Sequence, residues 1–83
     1  MQLLNVLAPK GVWTQVYDGA TPATVSISGT EAQICQSTTA PDEGLIGLPF
    51  IGGSLGLVLY HLPSGSPIYV KPLNSDATII INA

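Results

Sequence analysis

Residues 44–70 contain no Asp, Glu, Lys or Arg, and the first part of that run, from Leu45 through Leu59, is almost wholly apolar. A chain of 83 residues has little interior in which to hide it, since domains of this size bury only about 60–65% of the surface their unfolded chains expose. Soluble monomers rarely show apolar patches beyond a few hundred Å². Leu45, Ile46, Leu48, Phe50 and Ile51 are therefore expected at a contact with another chain. The run is long enough to be weighed as a membrane span, but Pro49 and the glycines at 47, 52, 53 and 56 interrupt it and no basic residue flanks residues 45–62 to orient it. A loop followed by a buried strand is the expected form, with no membrane partner.

Composition supports a subunit that shares its surface. Charged residues make up 8% of the chain and hydrophobic ones 46%, against about 25% charge in an ordinary soluble domain. A core this small needs a supplement. Cys35 is the sole cysteine and His61 the sole histidine, so an intrachain disulfide and a Cys/His zinc site are both excluded by count. Oligomerisation is the remaining common device, and a homo-oligomer, a trimer by preference, is expected. The net charge of −3 arises from Asp18, Glu31, Asp42, Glu43 and Asp76 against Lys10 and Lys71. Two isolated lysines do not make a phosphate-neutralising patch, so no nucleic-acid partner is expected. The sequence is also too apolar for a disordered chain. Its first ten residues lack the basic region, full apolar run and cleavage site of a secretory signal, and synthesis in the cytoplasm without a signal peptide follows as the expectation.

Alternation, not a helical period, recurs along the chain. Residues 12–17 are rich in β-branched and aromatic side chains and stop at Asp18-Gly19, a turn signal. Residues 23–28 alternate cleanly, with Val25 and Ile27 on one face and Thr24, Ser26 and Ser28 on the other. A short turn at Gly29-Thr30 leads into residues 31–37, where Ala32 and Ile34 continue the buried face, so the two runs read as a hairpin within a small meander over residues 18–37. Residues 38–44 read as a solvated loop. Residues 45–54 have no clean period and read as an extended loop or short irregular strand; residues 56–62, 68–71 and 77–82 complete the strands, with turns at residues 63–67 and 74–76. Pro72 should end its strand. The fold class is thus all-β: a small antiparallel β-sandwich or barrel of six to seven short strands with an extended N-terminal arm. Residues 1–11 form the arm and residues 12–83 a single β-domain. Leu3, Leu4, Val6 and Leu7 give the arm four large apolar side chains, which should pack on a neighbouring subunit.

A search for catalytic chemistry returns nothing specific. Nucleophilic catalysis needs a nucleophile, a base within reach and a group that orients the base. His61 lies in an apolar strand beside Tyr60, and Cys35 reads as a small strand side chain, so ordinary packing accounts for both. Asp42 and Glu43 are adjacent, and extended backbone turns neighbouring side chains apart, whereas glycosidase chemistry needs two carboxyls facing one bond across roughly 5–10 Å. Calcium would require six to eight oxygens, more than this run supplies. The glycine cluster at residues 52–56 lacks the Lys-Ser/Thr of a phosphate-binding loop. Trp13, Tyr17, Tyr60 and Tyr69 read as core aromatics, with a ligand platform as the alternative. No catalytic, cofactor-binding or metal-ligating residue is assigned, and no enzymatic activity is expected.

The order of features resembles a known group. A strand with Trp13 ending in Asp18-Gly19, a Thr-Val-Ser-Ile-Ser-Gly strand from Thr24, an Ala-x-Ile strand from Ala32 running into Thr38-Thr39-Ala40-Pro41-Asp42-Glu43-Gly44, and a closing Pro67-Ile68-Tyr69-Val70-Lys71-Pro72-Leu73 with Asp76-Ala77-Thr78-Ile79-Ile80-Ile81 are similar to small β-rich virion structural proteins of tailed bacteriophages. The likeness spans residues 12–82 and rests on a succession of strands and turns. It implies a non-enzymatic protein that decorates or cements a capsid, located in the virion after synthesis in the host cytoplasm. Its partners would be further copies of itself and the major capsid protein or other virion proteins. A receptor- or glycan-binding fibre or tail module is the alternative.

Overall fold

The structure is a computed structural model that describes residues 3–28, 31–39, 41, 48–51 and 60–83. These form eight strands: β1 (Leu3–Ala8), β2 (Thr14–Tyr17), β3 (Ala23–Ser28), β4 (Glu31–Gln36), β5 (Leu48–Ile51), β6 (Tyr60–Leu62), β7 (Ile68–Pro72) and β8 (Ala77–Asn82). The all-β expectation holds. The described residues contain one strand more than the upper end of the expected count, because the N-terminal segment is itself a strand.

The strands form two four-stranded antiparallel sheets, ordered β1-β8-β3-β6 and β2-β7-β4-β5. The pairings are nested: β1 with β8, β2 with β7, β3 with β6 and β4 with β5. The chain therefore behaves as one long ribbon, its first half lying antiparallel to its second. Rolling that ribbon makes β3 a neighbour of β8 and β4 a neighbour of β7. Eight strands in this order are a jelly roll, a two-sheet architecture in which the chain passes repeatedly from one sheet to the other.

This topology overturns the hairpin expected over residues 23–37. β3 lies in the first sheet beside β8 and β6, and β4 lies in the second beside β7 and β5. Both strands alternate toward the same core, but they approach it from opposite sides. Hydrophobic period identifies the buried face of a strand and carries no information about which strand lies beside it. The expected meander is absent for the same reason.

Between the sheets lie Val25, Ile27, Ile79 and Ile81 from the first and Ala32, Ile34, Ile68 and Val70 from the second, all at or below 7% exposure. Burial of each large aliphatic side chain contributes roughly 1.5–3 kcal/mol. β8 follows the strand period across its length, with Ala77, Ile79 and Ile81 buried and Thr78, Ile80 and Asn82 turned the other way. In β2 the pairing with β7 shifts between Gln15 and Tyr17. That bulge lets Val16 and Tyr17, consecutive in sequence, both contact the core.

Hydrogen bonds tie the loops at the two ends of the sandwich. The Gln36 side-chain amide donates to the carbonyls of Pro63 and Ser66, at 2.6 and 3.0 Å. The Ser37 N–H donates to the Pro67 carbonyl and the Gly65 N–H to that of Gly19. Elsewhere the Lys10 N–H donates to Asp76 Oδ1 at 2.8 Å and the Gly11 N–H to the Pro72 carbonyl at 2.7 Å. Pro72 closes β7, as its missing N–H requires.

Candidate functional site: the outer face of the first sheet

β1, β3, β6 and β8 contain no Asp, Glu, Lys or Arg. The charges of the other described strands are Glu31 on β4 and Lys71 on β7, while Lys10, Asp18 and Asp76 lie between strands. The first sheet thus turns an uncharged face away from the core. Antiparallel register sets out its rows: Leu3 opposite Asn82, Asn82 opposite Thr24, and Thr24 opposite His61. Asn5 is opposite Ile80, which is opposite Ser26, and Leu7 is opposite Thr78.

Two features stand out on this face. Leu3 and Leu7 are 65% and 68% exposed, and half-buried Ile80 lies diagonal to both across the β1/β8 pair. Together they make an apolar patch at the β1 margin. Toward the β6 margin, Thr24 Oγ1 and His61 Nδ1 share a hydrogen bond of 2.8 Å. Beside them is a hollow of about 330 Å³ lined by Pro22, Ala23, Thr24, His61, Leu62, Asn82 and Ala83.

The residues expected at a subunit contact are divided by the fold. The segment expected to be an arm is extended, but its hydrogen-bonding partner is β8 of the same chain. Leu4 and Val6 consequently pack against the domain's own core, and Leu3 and Leu7 face outward. The alternation Leu3, Asn5, Leu7 against Leu4, Val6, Ala8 decides this, because one set must face in once the strand joins the sheet. Leu48, Phe50 and Ile51 belong to β5, at the margin of the other sheet, where Leu48 is opposite Ile34 and Phe50 opposite Ala32. Leu45 and Ile46 lie outside the described residues.

Thr24 is placed on the outer face by the alternation of its strand, whereas Ile80, Asn5 and Asn82 are not singled out by sequence reasoning. A signal for Ile80 was present: three consecutive isoleucines in a strand place either one or two on the far side from the core. His61 and Cys35 lie in different sheets, on β6 and β4. Burial pushes the Cys35 thiol above its ordinary pKa. Asp42, Glu43 and residues 52–56 lie outside the described residues. Tyr69 is buried, its hydroxyl donating to Gln15 Oε1 at 3.3 Å. Trp13 is half-buried, with Lys71 Nζ 5.9 Å from its ring centroid. Among the described residues no group of three or more His, Cys, Asp or Glu is placed to hold a metal ion, and no helix is long and apolar enough to cross a membrane.

No protein-family model, curated protein or solved structure matches the chain. Its class is therefore defined by its own geometry: a small two-sheet jelly-roll domain, one sheet of which presents an uncharged and partly apolar outer face.

Proposed function

We propose that this chain is a non-enzymatic virion structural protein of a tailed bacteriophage, which decorates or cements the capsid through apolar contacts among its own copies and with the major capsid protein. The observation that carries the reading is the first sheet's freedom from charge on all four strands, combined with Leu3 and Leu7 exposed on its outer side. A sheet face that meets only water usually carries charged and polar side chains, the apolar ones pointing to the core. The jelly roll supports the reading, being an architecture found in viral capsid proteins, but the same architecture occurs in lectins, and function rests on the site. Apolar burial contributes about 25 cal/mol per Å² before association costs are subtracted, and repetition over a symmetric shell would add avidity.

The test is to find the chain by mass spectrometry in purified particles from its source, then to add recombinant protein to particles stripped of it. Retention on the particle and increased resistance to heat are expected, with both reduced by L3D/L7D. Absence from purified particles would overturn the proposal.

The hollow beside Thr24 and His61 favours a second reading, a receptor- or glycan-binding module. Its hydroxyl, imidazole and amide groups are donors and acceptors suited to a neutral polyhydroxyl ligand. Binding on a glycan array that Thr24→Val and His61→Ala both abolish would support it, and an array without signal would remove it.

A further inference from the structure

Every open sheet has two edges, and an unpaired edge strand is a template for another chain. Three of the four edge strands described here carry a feature that discourages such pairing. β2 is four residues long and bulged; β5 contains Pro49, which has no N–H to donate; β6 is followed directly by Pro63. β1 differs from all of them. It runs six residues in unbroken register with β8, without proline, charge or bulge.

We infer that β1 pairs antiparallel with β1 of a second copy about a two-fold axis through Asn5, joining two first sheets into one eight-stranded sheet. The inference rests on the reading of this chain as an assembling subunit and names the contact. The strand is self-complementary in this register. Position 3 faces position 7 of the second copy, position 4 faces position 6, and position 5 faces itself. Residues directly opposite in an antiparallel pair share a face, so Leu3 and Leu7 of both copies form two leucine pairs on the outer side, flanking an Asn5 pair whose amides can each donate and accept. Leu4 and Val6, half-buried at the margin of the core, pair on the inner side and extend the core across the junction. A shift of two residues either way would set leucine against Asn5 and leave one end of the strand unpaired. No charge on β1 itself opposes the approach, since the strand carries none. A two-fold contact of this kind closes as a dimer and not as the expected trimer.

Sedimentation equilibrium of the full chain tests this directly, with a dimer as the expected result. L3K/L7K sets lysine opposite lysine twice and should weaken the dimer roughly tenfold or more, because like charges directly opposite across a strand pair are destabilising. Both positions are more than half exposed, so the circular dichroism spectrum should not change. L3K/L7E makes both cross-copy pairs opposite in charge and should restore the dimer. N5C in a C35S chain should oxidise to a disulfide-linked dimer, since directly opposed residues stand about 4.5–5.5 Å apart at Cα, within disulfide range. A monomeric wild-type chain would overturn the pairing together with self-association. An oligomer that survives L3K/L7K would overturn the pairing and leave the assembly reading intact. Failure of L3K/L7E to restore a dimer lost in L3K/L7K would overturn the register.

Discussion

Gly19 shows how one residue can hold two loops together. Its backbone is in the left-handed region, at φ 78°, and a Cβ built there would run into the backbone of Ser66. The same close approach brings the Gly65 N–H to the Gly19 carbonyl at 3.0 Å, and the Ala20 N–H donates to Asp18 Oδ1 at 2.9 Å to set the turn. Gly11 has a similar angle, φ 75°, with open space where a Cβ would stand. Gly11→Ala should therefore cost about 1 kcal/mol from backbone conformation alone. Gly19→Ala should cost about 2–4 kcal/mol, because the loops must also move apart. Urea denaturation of the two variants measures the difference, and equal midpoints would mean that the loop contact contributes nothing. Cys35 gives a second expectation at this scale. Burial raises its thiol pKa, so less thiolate is present at any pH near neutrality and alkylation by iodoacetamide should be slower than for a free cysteine. The rate should climb to its plateau at higher pH than that of the denatured chain. By the same shift, the stability contributed by burying the neutral thiol is full below the unfolded pKa and is lost as pH rises through the folded one.

At the scale of the element, β8 is the most informative strand because it pairs on both sides, with β1 and with β3. Its three isoleucines are alike in chemistry and unlike in position. Ile79 and Ile81 are fully buried, while Ile80 is half-buried on the outer face. Ile79→Ala and Ile81→Ala should each destabilise the domain by about 2–5 kcal/mol through lost burial and the cavity left behind. Ile80→Thr keeps a β-branched residue that suits a strand and should cost about 1 kcal/mol or less in an isolated subunit. Thermal melts of the three variants test the assignment of faces, and an Ile80→Thr as damaging as Ile79→Ala would show that the outer face is packed within the subunit. β1 is legible in the sequence only as an apolar arm. Its place is not, since the residues that make it a strand, Leu4, Val6 and Ala8, meet Ile81, Ile79 and Ala77 from the far end of the chain.

At the scale of the whole molecule, the first and last strands are neighbours and the chain cannot complete its first sheet until its ends meet. Loop closure must precede most of the stabilising contacts, so refolding should be slow for so small a domain, in milliseconds to seconds. Stopped-flow Trp13 fluorescence measures it, and folding complete within microseconds would contradict the nested pairing. The sequence by itself determined that the protein is all-β, located β3 and β8 to the residue, and put Val25 and Ile27 of β3 on one face, because a two-residue period is a local property written in each strand. It also showed that charge is scarce. Tertiary structure alone decided that the scarcity is total on one sheet, that β3 and β4 part company, that Leu3 and Leu7 remain outside while Leu4 and Val6 join the core, and that, among the described residues, β1 is left as an open edge. Those are properties of which strand lies beside which, and strand partners are chosen by the packing of the whole chain around a shared core, between residues as far apart in sequence as Leu3 and Asn82.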